Sequence, residues 1–93
     1  SEIEFAVSFA DLAARQIQWL EANGVARLRE TILSQLANEP TDARRKRVWP
    51  LEGSRERPTW RLAYRTWRAD FHVDEGPARI SVVELSSGYS PEE

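Results

Sequence analysis

At 93 residues the chain can bury one small core, and its 41% apolar residues, four Trp and three Phe among them, are enough to fill it. Thirty per cent charged residues and no apolar run of membrane-spanning length exclude a helical membrane protein, and the lack of cysteine excludes a disulfide framework or a thiolate metal site. The net charge of −2 divides unevenly: residues 1–43 carry three basic against seven acidic side chains, 44–68 nine against two, and 69–93 one against six, so a centre of +7 lies between ends of −4 and −5.

Ile3, Phe5, Val7 and Phe9 alternate with polar or small residues, the period of a strand with one buried face. Ser8 and Asp11 have the spacing of a capping box, so a helix should follow directly, with Phe9, Leu12, Ala13, Gln16, Ile17 and Leu20 as its stripe and Asn23-Gly24 as its stop. A second helix is expected to begin at once. Val25, Leu28, Ile32, Leu33 and Leu36 form its stripe, Asn38 and Pro40 end it, and the short link implies an antiparallel helix hairpin. Thr41 to Arg47 is polar and basic and reads as a loop into a short strand around Val48 to Leu51, after which Gly53 and Pro58 bracket a turn.

From Thr59 the period is two. Trp60, Leu62 and Tyr64 alternate with Arg61, Ala63 and Arg65, and Trp67, Ala69, Phe71 and Val73 alternate with Arg68, Asp70 and His72. A turn at Asp74-Glu75-Gly76-Pro77 leads to a last strand from Ile80 to Leu85, and Ser86 to Glu93 reads as a polar, flexible tail. The predicted architecture is one α+β domain over residues 1–93. It has an N-terminal strand, a helix hairpin and a three- to four-stranded antiparallel sheet, with both helices on one sheet face.

If the helices cover the apolar face, the other face presents Arg61, Arg65, Arg68 and His72 beside the loop bearing Arg44, Arg45, Lys46 and Arg47. Guanidinium groups suit phosphate, because their planar donors bind it bidentately and stay charged at physiological pH. The same charges would also serve a solvated face whose arginines pair with the acidic ends. Trp60 and Trp67 fall on the buried side by alternation; Trp49 is not assigned to a face. His72 alone has an ordinary pKa suited to proton transfer near neutrality, yet one histidine on a polar strand is more often a surface residue. One His and scattered carboxylates show no metal-ligand spacing, and no phosphate-cradling glycine loop is present, so neither metal nor cofactor is expected. Ser1 to Phe9 holds two glutamates and no basic side chain, unlike a secretory leader, and a cytoplasmic protein is expected.

The series Ile32-Leu33-Ser34-Gln35-Leu36, Glu39-Pro40-Thr41, Arg45-x-Arg47, Pro50-Leu51, Trp60-x-Leu62, Arg68 and Phe71-x-Val73-Asp74 resembles, in order and along nearly the whole chain, the RelE/ParE superfamily of bacterial toxins. The resemblance implies a growth-inhibiting toxin of a type II toxin-antitoxin system, neutralised by a cognate antitoxin. Its branches act as ribosome-dependent mRNA endonucleases or on DNA gyrase. For the nuclease branch it implies attack of a ribose 2′-hydroxyl on the adjacent phosphate. Arg61 and Arg68 would then be the catalytic basic residues, and Arg45, Arg47 and Arg65 would hold the RNA.

Departures from the family pattern bear on catalysis. Ala63 stands where many relatives carry arginine, Arg65 where they carry the turn glycine, Asp70 sets an acid near the presumed phosphate, and Ser86-Ser87-Gly88 replaces the usual terminal glycine and basic residue. The alternatives are a non-enzymatic member of the fold, either gyrase-directed or binding only its antitoxin, and a housekeeping RNA-binding module, which would need exposed aromatics.

Overall fold

The computed structural model describes residues 3–52 and 57–89; Gly53, one end of the turn expected between Gly53 and Pro58, lies outside them. In chain order the elements are β1 (Ala6–Phe9), α1 (Asp11–Ala22), α2 (Leu28–Ala37), β2 (Val48–Pro50), β3 (Thr59–Tyr64), β4 (Trp67–Asp74) and β5 (Arg79–Ser87). One five-stranded sheet has the order β1-β5-β4-β3-β2. β1 joins β5 in parallel, and the other neighbours are antiparallel. The N-terminal strand and the later strands therefore share one α+β sheet.

The period-two pattern decides which face meets the helices. Leu62, Ala69, Phe71, Val73, Ile80, Val82 and Leu85 form one core with Ala13, Ile17 and Leu20 of α1 and Leu28, Ile32 and Leu36 of α2. Trp60, Tyr64 and Trp67 pack against this core but stay half-buried. Phe71 has no exposed surface, as a central residue of a central strand should.

The helices differ from the reading of their ends. Ala10, in extended conformation, is the N-cap of α1 and makes no side-chain cap bond; Ser8 instead donates its hydroxyl to the Ile80 carbonyl across the β1–β5 pair, at 3.4 Å. The strand holds Ser8 too firmly for it to turn back and cap. Leu12, expected in the stripe, is 43% exposed. α2 begins at Leu28 and not at Val25, because Gly24 and Arg27 both take left-handed backbone angles and spread the link over several residues.

β5 continues two residues beyond the expected end. Ser86 and Ser87 pair with Arg68 and Trp67, and Gly88 donates its N–H to the Thr66 carbonyl at 2.6 Å. β1 stops opposite Val82, which leaves the later part of β5 with an open edge. The Gln16 amide serves there as a substitute strand, accepting from the Leu85 N–H at 2.7 Å and donating to the Leu85 carbonyl at 3.0 Å. This pair of bonds satisfies backbone groups that would be costly to leave without partners. Among the described residues no helix is long and apolar enough to cross a membrane.

Candidate nucleic-acid interface

The sheet face turned away from the helices is ordered in rows by strand register. Thr59, His72 and Ser81 make the first row; Trp49, Arg61, Asp70 and Glu84 the second; Ala63, Arg68 and Ser86 the third. Arg47 extends the third row, since its carbonyl accepts the Ala63 N–H at 2.8 Å and Val48, next to it, points into the core. A bulge between Asp70 and Phe71 leaves Val83 without a register partner on β4 while Val82 stays inward and Glu84 outward.

Arg61 and Asp70 are register partners, and their side chains close on each other. Arg61 Nε donates to one Asp70 carboxylate oxygen at 2.7 Å and Nη2 to the other at 3.1 Å, a bidentate pair in which each side chain is only about 15% exposed. The charge-block reading allowed pairing with the acidic ends, and for Arg61 this is what the fold makes.

Arg68, one row away, is held differently. Its Nη1 donates to the carbonyls of Arg65, at 3.1 Å, and Trp67, at 2.9 Å. Gly88 lies against the guanidinium so closely that an added Cβ would sit 2.6 Å from its central carbon. The absence of a side chain at Gly88 thus gives the guanidinium the space it occupies. Ala63, between Arg47 and Arg68, forms a buried floor at 7% exposure. At one strand spacing per step, the Arg47 and Arg68 backbones stand about 10 Å apart, a span two long side chains can close around an anion.

The remaining basic residues have separate settings. Arg65 sits in the β3–β4 turn at φ +56°, with its guanidinium 5.4 Å from the Tyr64 ring centre. It thus adopts the left-handed conformation for which the family pattern has glycine. Arg45 lies 3.7 Å from carboxylate oxygens of Glu39 and Asp42, and Arg44 3.6 Å from Asp42; both arginines are largely exposed, so these pairs are weak and exchangeable. Lys46 folds back onto the end of α2, donating to the carbonyls of Asn38 and Glu39 as a helix C-terminal cap. Burial pushes its ammonium below the usual lysine pKa, against the opposing pull of Glu39 and Asp42. It is a structural cation.

His72 is tied to the first row. The Thr59 hydroxyl donates to the Arg57 carbonyl at 3.1 Å and contacts His72 Nδ1 at 3.1 Å. Four residues along β4 put the His72 backbone about 13 Å from that of Arg68, and the Arg68 guanidinium is held on the far side, at the Arg65 and Trp67 carbonyls. No cluster of potential metal ligands occurs among the described residues.

The fold as a whole is shared with solved structures. An archaeal RelE–RelB complex from Pyrococcus horikoshii OT3 contains a chain that superposes with a TM-score of 0.74 at 20% identity, over 94% of this chain and 98% of that one. The chain has the RelE fold. The toxin–antitoxin complex RelBE2 from Mycobacterium tuberculosis is also similar, with a TM-score of 0.69 at 19% identity over 91% of this chain and 92% of its counterpart. The sequence itself matches no protein-family model and no curated protein. On the RelE fold of this chain, two residues of the exposed face escaped the sequence reading. Gly88 was assigned to the tail, and nothing in the sequence marks its approach to Arg68. Trp49 could have been placed, because Arg47-Val48-Trp49 already alternates about a buried valine.

Proposed function

We propose that the chain is the toxin of a type II toxin-antitoxin pair that inhibits translation by ribosome-dependent cleavage of mRNA and is neutralised by a cognate antitoxin. The observation that carries this reading is the RelE fold over more than nine-tenths of the chain, with two neighbours solved as complexes with their partners. On this reading the ribose 2′-hydroxyl attacks the adjacent phosphorus, and the 5′-oxygen of the next nucleotide leaves. Arg68 neutralises the charge gathering on the phosphoryl oxygens, which is where a fixed guanidinium lowers the barrier most. Arg47 faces it across Ala63 and holds the backbone, while Arg45 and Arg65 supply outer contacts.

A positioned acid or base contributes about 10²- to 10⁴-fold to such a reaction. His72 is tied to Thr59 and the Arg68 guanidinium is held toward the β3–β4 turn, so on this reading proton transfer falls to the ribosome or to water and cleavage is slow. The chain would act in the cytoplasm, where ribosomes are, without cofactor or metal. The closed Arg61–Asp70 pair favours a second reading, a non-enzymatic toxin directed at gyrase or a homologue that only binds its antitoxin, because it removes one of the two arginines expected at the phosphate.

Growth and primer-extension mapping of a translated message, after expression without a partner, separate these readings. Mild growth inhibition with new cleavage sites that vanish in Arg68→Ala and persist in His72→Ala is the expected result. Inhibition with intact message and relaxed plasmid DNA would instead identify gyrase, and full inhibition in Arg68→Ala would remove the site.

A further inference from the structure

We infer that Trp49 is the stacking platform for one unpaired nucleobase of single-stranded RNA, next to the Arg47–Arg68 phosphate cradle. The inference rests on the proposed function and adds a base-binding subsite to it.

Register carries the assignment. Trp49 is opposite Arg61 on the helix-free face, and Arg47, just ahead of β2 with its carbonyl accepting the Ala63 N–H, is two residues before it, about 7 Å away along the chain. Trp60 and Trp67 pack against the core, and Trp19, 64% exposed, lies on α1 on the other side of the sheet. Trp49 is thus the tryptophan that shares a face with the arginines. It is half-buried, so its ring retains surface for a ligand. A neutral aromatic face among guanidiniums is the combination that single-stranded nucleic acid requires, since the cations hold the backbone and the ring stacks a base of any identity.

The platform is also rigid. Pro50 restricts the Trp49 backbone to extended conformations, and the Leu51 N–H bonds to the Thr59 carbonyl at 2.9 Å to hold the strand end. Arg61, the register partner of Trp49, is locked by its two bonds to Asp70. Its charge is already compensated, so stacking and not an additional phosphate contact is what this row offers.

The test uses the full chain and ribosomes programmed with a short message, intact or with one abasic nucleotide at each position of the codon awaiting decoding. The parent should lose roughly 10- to 100-fold in affinity at one abasic position. Trp49→Ala should lose as much on the intact message and then be indifferent to that abasic site, with the same salt dependence as the parent. Trp49→Phe, which keeps a ring and controls for folding, should retain most of the affinity. Parent-like binding by Trp49→Ala, continued sensitivity to the same abasic site, or a flattened salt dependence would overturn the inference and leave the proposed function standing. A parent that binds empty and programmed ribosomes equally would overturn both.

Discussion

The two faces of the central strands are built from the same fifteen-residue stretch and are held by opposite physics. On the inner face Leu62, Ala69, Phe71 and Val73 are nearly without exposed surface and owe their positions to non-directional burial against α1 and α2. On the outer face Arg61, Arg68, Asp70 and His72 have no helix above them, and each is fixed by directed bonds to a register partner or a nearby carbonyl. The inner face tolerates no loss of volume. The outer face tolerates loss of volume and depends on geometry. A substitution should therefore damage stability or function according to the face it strikes.

The largest effect is expected inside. Phe71→Ala should cost about 3–5 kcal/mol, enough to unfold most of a domain this size, and thermal melting followed by circular dichroism should show no cooperative transition well above room temperature. A variant melting within a few degrees of the parent would erase the distinction between the faces.

An intermediate effect is expected where the outer face is most tightly paired. Asp70→Asn keeps the shape but removes the carboxylate that binds both Arg61 donors, and should cost about 1–3 kcal/mol, read as a lowered urea midpoint. It should also free the Arg61 fork, so RNA association should become more salt-dependent. Unchanged stability would mean that the pair is no more than a surface contact.

The smallest effect on stability, and the sharpest on function, belongs to Gly88→Ala. The clash is with the far end of the Arg68 side chain, which can swing aside, so the melting temperature should move by no more than about 0.5 kcal/mol implies. Growth inhibition should nonetheless fall toward that of Arg68→Ala. Full activity in Gly88→Ala would show that the guanidinium needs no fixed seat.

Much of this plan was legible in order and period. Alternation from Trp60 to Val73 assigned Phe71 inward and Arg68 outward, and the helix stripes at Ile17, Leu20, Leu28, Ile32 and Leu36 identified the core that covers them. The capping box at Ser8 failed because a local motif competed with strand pairing to β5, and pairing won. The tail was begun too early, since Ser86 and Ser87 lack the apolar pattern that marks a strand and take their partners from β4.

What the sequence determined by itself was the periodicity, hence the elements, the buried face and the basic centre, because these depend on neighbours within a few positions. Which arginine closes on a carboxylate and which lies against a glycine was decided only by tertiary structure. Asp70 reaches Arg61 and Gly88 seats Arg68 through strand register, nine and twenty residues away in the chain. Register follows from how the whole sheet packs on its helices, and no local pattern encodes it.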